Sequence, residues 1–173
     1  MEATLADNIP VSGEYEEVCF ECGNDNAWVK FQDSEYEEWY GVFGRGLSAH
    51  SKVILVGENS LCFVNAGGQG YWVDINSKKL ISKTKDDYLE NTIAVPRHEL
   101  VICSDFTNIL FYTPEGLVWD SGRVSMDGIS FEEITENYVK GKINDLTDEG
   151  SPYVLQINER KYTCDWKVPG ELA

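Results

Sequence analysis

Cys19-Phe20-Glu21-Cys22-Gly23 is the motif with the clearest chemical potential, because Cys-x-x-Cys-Gly sets two thiolates on a tight turn, as in one half of a zinc ribbon. A closed zinc site needs a second pair of ligands, and Cys62, Cys103, Cys164, His50 and His98 each stand alone in the sequence. On a strand the two thiols would point to opposite faces, and no βαβ pattern surrounds them to suggest a redox pair. The motif is read as neither metal site nor redox centre. Asp145-Leu146-Thr147-Asp148-Glu149-Gly150 offers the closely spaced oxygens that calcium prefers, but lacks the further ligands at fixed offsets and reads as a solvated hairpin loop.

Gly41-Val42-Phe43-Gly44-Arg45-Gly46 and Gly67-Gly68-Gln69-Gly70 are glycine-rich. Neither leads from a strand into a helix, whose N-terminus would supply the amides for a phosphate cradle, so both read as turns or bulges. Nucleophilic catalysis would have to use His50 or His98, without a Gly-x-Ser-x-Gly elbow or a His-Glu-x-x-His helix. Thirty acidic residues always permit some carboxylate pair, which is not evidence for one. No catalytic residue, metal or cofactor is assigned.

The constellation that does point to a function is acidic and aromatic: Glu14, Tyr15, Glu16 and Glu17, then Trp28, then Glu35, Tyr36, Glu37, Glu38 and Tyr40. Protein recognition surfaces favour aromatic anchors ringed by charge, since the rings supply desolvated contact area while the charges set association rate and exclude wrong partners. Some of these aromatics must serve the core. Alternation along a strand puts Trp39 on the face opposite Glu38 and Tyr40, which makes it the core member. Net charge agrees: −16 for 173 residues, with eleven acids and one base before residue 39. Such a field repels nucleic acid and anionic membrane and favours a basic protein partner.

The elements that must position these residues are strands. Val53–Val56, Leu100–Cys103 and Ile109–Tyr112 are apolar at odd and even positions alike, as strands covered on both faces are. Lys52 to Asp74 is echoed by Glu99 to Asp120, 47 residues later, with strand, turn, strand, turn, strand in each copy. The first copy predicts strands near 52–57, 61–66, 70–75 and 79–84. The second predicts 99–104, 108–113 and 117–121, with a weak fourth around Arg123–Ser125. A three-strand meander (Tyr15–Glu21, Ala27–Gln32, Glu38–Phe43) precedes them, and a four-strand one (Ile129–Ile134, Tyr138–Asn144, Tyr153–Ile157, Lys161–Trp166) follows. Ser130–Glu133 also fits a helix-opening capping box, but the alternation beyond it favours a hairpin. Asp86–Asn91 could form one or two helical turns. Residues 1–12 carry no period and read as a loose arm before a single all-β domain spanning 13–173. The fold class is all-β: stacked antiparallel meanders, either a partial or small β-propeller-like ring or a distorted sandwich.

Residues 118–157 resemble the C-terminal segment of a loose group of uncharacterised bacterial all-β proteins. The resemblance rests on Trp119, Ser121, Arg123, Ser125, Asp127-Gly128-Ile129, Val139-x-Gly141, Asp145 and Tyr153–Ile157. It implies an all-β fold and brings no activity with it. By size and acidity, though not by motif, the chain is also similar to bacterial immunity proteins. No apolar run approaches the roughly 20 residues that cross a bilayer, and the acidic start lacks the features of a signal peptide. With an odd number of cysteines, three of them in apolar runs, the expectation is a soluble cytoplasmic protein whose thiols are small core residues rather than a disulfide framework. The expected function is a non-catalytic acidic protein-binding module, in its sharpest form an immunity-type inhibitor of a basic toxin domain. The alternative is a small metal- or carboxylate-dependent enzyme, or a carbohydrate-binding module that uses Trp28, Trp39 or Trp72 as a stacking platform.

Overall fold

Four sheets of four strands make up the protein, in a computed structural model that describes residues 1–11, 13–57, 60–144, 150–157 and 166–167. Sheet A contains β1 (Glu2–Leu5), β2 (Glu16–Phe20), β3 (Asn26–Gln32) and β4 (Glu38–Gly44). Sheet B contains β5 (Lys52–Leu55), β6 (Leu61–Ala66), β7 (Gln69–Asp74) and β8 (Lys79–Lys83). Sheet C contains β9 (Asn91–Ala94), β10 (Val101–Ser104), β11 (Ile109–Thr113) and β12 (Gly116–Asp120). Sheet D contains β13 (Ile129–Ile134), β14 (Tyr138–Ile143), β15 (Ser151–Gln156) and β16 (Trp166–Lys167). Among the described residues there is no helix, so the capping box at Ser130 opens β13 and Asp86–Glu90 forms an irregular connection. The 145–149 loop, Cys164 and most of the expected last strand lie outside the described residues.

The sheets follow one another face to face. A joins B through Phe31, Trp39, Phe43, Val64 and Tyr71. B joins C through Phe63, Trp72, Leu89, Val101 and Leu110. C joins D through Ile102, Phe111, Val139, Tyr153 and Leu155. Among the described residues no buried cluster joins D back to A. The first strands β1, β5, β9 and β13 touch in succession, as the inner strands of propeller blades do, which makes the architecture a partial propeller or distorted sandwich. Strands β6, β7, β10 and β11, covered on both faces, are almost wholly buried, as their unbroken apolar runs require. β5 sits at the inner edge and is only half-buried, contrary to the expectation for Val53–Val56, of which only Val56 is fully covered.

Three features depart from the sequence reading. The repeat falls where expected, as β5–β6–β7 and β10–β11–β12, but out of phase with the sheets. Sheet B completes its four strands after the copy, with β8; sheet C does so before it, with β9, and 123–125 forms no strand. The first unit is not a meander either: its order is β1-β3-β4-β2, with β2 parallel to β4, so the chain crosses the end of β4 between β2 and β3. Gly44 permits that crossing, since a Cβ there would lie 2.3 Å from the Glu21 carbonyl oxygen. Asn26 fastens the crossing by accepting from Gly23 N at 2.9 Å and donating to Gly23 O at 3.1 Å. Finally, Glu2–Leu5 of the expected loose arm is an edge strand paired with β3 from Glu2↔Gln32 to Leu5↔Val29.

Candidate functional site

In sheet A the period of two sorts the side chains cleanly. Ala27, Val29, Phe31, Trp39 and Phe43 face sheet B and are buried, with Trp39 stacked on Phe31 at 4.3 Å between ring centroids. Trp39 is therefore a core residue, as alternation predicts. The other face has no sheet upon it among the described residues, and its cross-strand rows can be read from the register. One row is Glu2, Gln32 and Glu38; the next is Thr4, Lys30, Tyr40 and Glu17; a third is Trp28, Val42 and Cys19. Trp28 and Tyr40 are half-exposed.

Electrostatics at the middle of this face centre on Lys30. Its ammonium lies 2.7 Å from Glu38 and 6.0 Å from the Tyr15 ring, and Tyr15 meets Tyr40 edge-on at 5.1 Å. Donating a hydrogen bond to Glu38 holds the Lys30 ammonium above its ordinary value. Lys30 is paired with Glu38, and Glu2 and Glu17 lie on the same face, so this face keeps negative charge beside partly covered rings.

At one end of the sheet the β3–β4 hairpin presents Tyr36. The Asp33 carboxylate accepts from Glu35 N at 2.9 Å and from Glu37 N at 3.0 Å, and Ser34 N donates to Asn76 Oδ1 in the β7–β8 turn at 3.1 Å. Tyr36 is held in the left-handed region at φ 67° and is 80% exposed. That conformation costs a bulky L-residue about 1–2 kcal/mol, which no packing of its ring returns.

The predicted residues therefore divide. Tyr15, Glu17, Trp28, Glu38 and Tyr40 share the outer face, and Glu35, Tyr36 and Glu37 border it on the hairpin. Glu14 is exposed ahead of β2. Glu16 belongs elsewhere: it points toward sheet B and pairs with Lys78 at 2.5 Å. Sequence reasoning missed Lys30, Glu2 and Thr4. The signal for Lys30 was the alternation of β3 itself; for Glu2 and Thr4 four residues gave too short a pattern. Two stacking platforms of the carbohydrate alternative are corrected, since Trp39 and Trp72 are sealed in the seams at 0% and 1% exposure.

Cys19 and Cys22 form a disulfide, where separate thiols were expected. β2 ends at Phe20 and Glu21 turns the backbone left-handed (φ 52°), so Cys22 swings back to Cys19 instead of pointing away along a strand. Cys62 and Cys103 match the expectation of core thiols: both are fully buried and burial pushes each up to about 12. His50 sits at the rim of a cleft with Nε2 3.2 Å from Glu90, while His98 lies in the β9–β10 turn. Among the described residues no group of three or more His, Cys, Asp or Glu could hold a metal ion, and no helix is long and apolar enough to cross a membrane. No protein-family model matches the chain, and no curated protein matches it.

Proposed function

We propose that the chain is a non-catalytic, acidic protein-binding module that receives a basic partner on the outer face of sheet A. Tyr36 is the observation that carries this reading. Its backbone closes the β3–β4 turn, but its ring, 80% exposed, is held out from the fold and is suited to enter a pocket on another protein, since anchors held in place before binding lose little entropy on docking. Tyr15, Trp28 and Tyr40 extend the contact area, and Glu17, Glu35, Glu37 and Glu38 would steer a cationic surface toward it. The sharpest form is an immunity-type inhibitor of a basic toxin domain, laying carboxylates where substrate phosphates would bind.

Capture from extracts of the native cell, with immobilised wild type and with Tyr36→Gly, tests the reading. Glycine relieves the left-handed strain, so the variant is expected to be more stable by about 1 kcal/mol. It is nonetheless expected to lose a basic protein that the wild type retains at low salt and releases as salt rises. Recovery of no basic protein at low salt, or equal retention by Tyr36→Gly and by a Trp28→Ala/Tyr40→Ala double variant, would overturn it.

A further inference from the structure

Where β5, β9 and β13 converge, a cleft of about 230 Å³ opens between sheets B, C and D. Its floor is built and rigid: buried Asn65 donates to Leu89 O at 3.2 Å and to Thr92 Oγ1 at 3.1 Å, and accepts from Gly68 N at 2.8 Å. Two opposite charges face the space. Lys52 donates one of its three protons to Thr92 O at 2.8 Å, which leaves two for a ligand. Glu90, in the connection just before β9, is braced by His50 at 3.2 Å and keeps accepting capacity. Asn91 donates to Ser104 Oγ at 3.2 Å and Ile129 O at 2.7 Å, so the amide oxygen is what it has left to offer. Ile93 and Phe131 supply an apolar wall.

A lone anion in this cleft would meet Glu90, and a lone cation would meet Lys52. The volume lies below the range of roughly 300–1,000 Å³ usual for drug-sized ligands. We propose that the cleft binds a free α-amino acid: its carboxylate on Lys52, its ammonium on Glu90 and the Asn91 oxygen, its apolar side chain against Phe131 and Ile93. The cleft shares no residue with the outer face of sheet A, so this proposal and the protein-binding reading stand or fall separately.

Leucine, N-acetyl-leucine, leucinamide and glucose, titrated by calorimetry into the full chain, test it. Each derivative deletes one charge of the zwitterion on unaltered protein and is expected to bind at least about tenfold more weakly than leucine. Glu90→Gln and Lys52→Met are expected to weaken leucine by a similar factor, and leucine to raise the melting temperature of the wild type alone. The proposal is overturned if no standard amino acid binds at millimolar concentration, if glucose binds in leucine's place, if either derivative binds as tightly as leucine, or if both variants bind leucine with unchanged affinity.

Discussion

Sheets A and D close the two ends of one stack, and each has a covered inner face and an outer face with no sheet upon it among the described residues. On D the outer face neutralises itself: Lys140 lies 2.9 Å from Glu133 and 4.7 Å over the Tyr138 ring, and Lys142 comes within 3.8 Å of Glu132. These pairs face one another across strands, which is how a sheet surface is finished for water. On A, Lys30 pairs with Glu38 while Glu2 and Glu17 share the face with it, and Tyr15, Trp28 and Tyr40 remain partly uncovered beside it. The same architecture thus ends in a self-sufficient surface on one side and an unsatisfied one on the other. Position in the fold does not distinguish them; the balance of charge and aromatic area does.

If the contrast is confined to the outer faces, the inner faces should be equally intolerant, and the largest effect is expected at Trp39. Trp39→Ala should lower unfolding free energy by about 3–5 kcal/mol in denaturant titrations, from lost burial and the cavity left against Phe31. Trp39→Phe should cost under about 1.5 kcal/mol, because the indole Nε1 has no acceptor to lose among the described residues. Trp28→Ala, the same residue type half-buried on the opposite face of the same sheet, should cost about 1–2 kcal/mol, less than half the loss at Trp39. Equal losses at Trp28 and Trp39 would mean that the outer face is structural, and the contrast with D would collapse.

Much of this division was legible in sequence, because it depends on alternation alone: a period of two fixes Trp39 inward and Glu38 and Tyr40 outward whatever the topology. Strand partners were not. Glu21–Asp25 carries the turn residues of a hairpin, and nothing local distinguishes a return to the neighbouring strand from a crossing over β4 that inserts β2 in parallel. The copy at Glu99–Asp120 identified β10, β11 and β12 but not their places in the sheet, since an edge and a central strand can share an apolar core sequence. β9 was missed because Asn91–Ala94 is only four residues long, too short for a period of its own. Tyr36 was named for its type; its strain arises from the Asp33 brace, which only the backbone geometry reveals.

A second test sets matched glycines of the two end sheets against one another. Gly41 in β4 and Gly141 in β14 both lie on inner faces. A Cβ on Gly41 would meet ring carbons of Phe43 at 2.6 Å and Phe31 at 2.8 Å, atoms that can move by small ring displacements. A Cβ on Gly141 would fall 1.8 Å from the Ser130 carbonyl oxygen, part of the strand beside the β13 bulge. Both substitutions overpack, at about 1–3 kcal/mol, with Gly141→Ala at the top of that range and Gly41→Ala near the bottom. The reverse order in thermal melts would show sheet D, rather than A, to be the more yielding end.

The smallest expected effect concerns the tyrosines that tie each end sheet to its seam. Tyr71 donates its hydroxyl to Gly44 O at 2.8 Å beside sheet A, and Tyr153 donates to Ser130 O at 3.1 Å within sheet D. Each phenylalanine replacement should cost about 1 kcal/mol at neutral pH, chiefly through the carbonyl left behind. Burial, with Glu21 adding to it, pushes Tyr71 up to about 12, and burial with Glu132 raises Tyr153 also. A phenol raised by folding stabilises fully below its unfolded value near 10, and that share is lost as pH climbs through the folded value. Stability should therefore hold to about pH 10 and fall between 10 and 12, followed by tyrosinate absorbance together with denaturant midpoints. Tyr71→Phe and Tyr153→Phe should each flatten that fall by a comparable amount, since folding keeps both phenols protonated across that window. A flattening confined to one of them would mean that the two ends are fastened differently on the inside too, and that their outer faces are not their only point of difference.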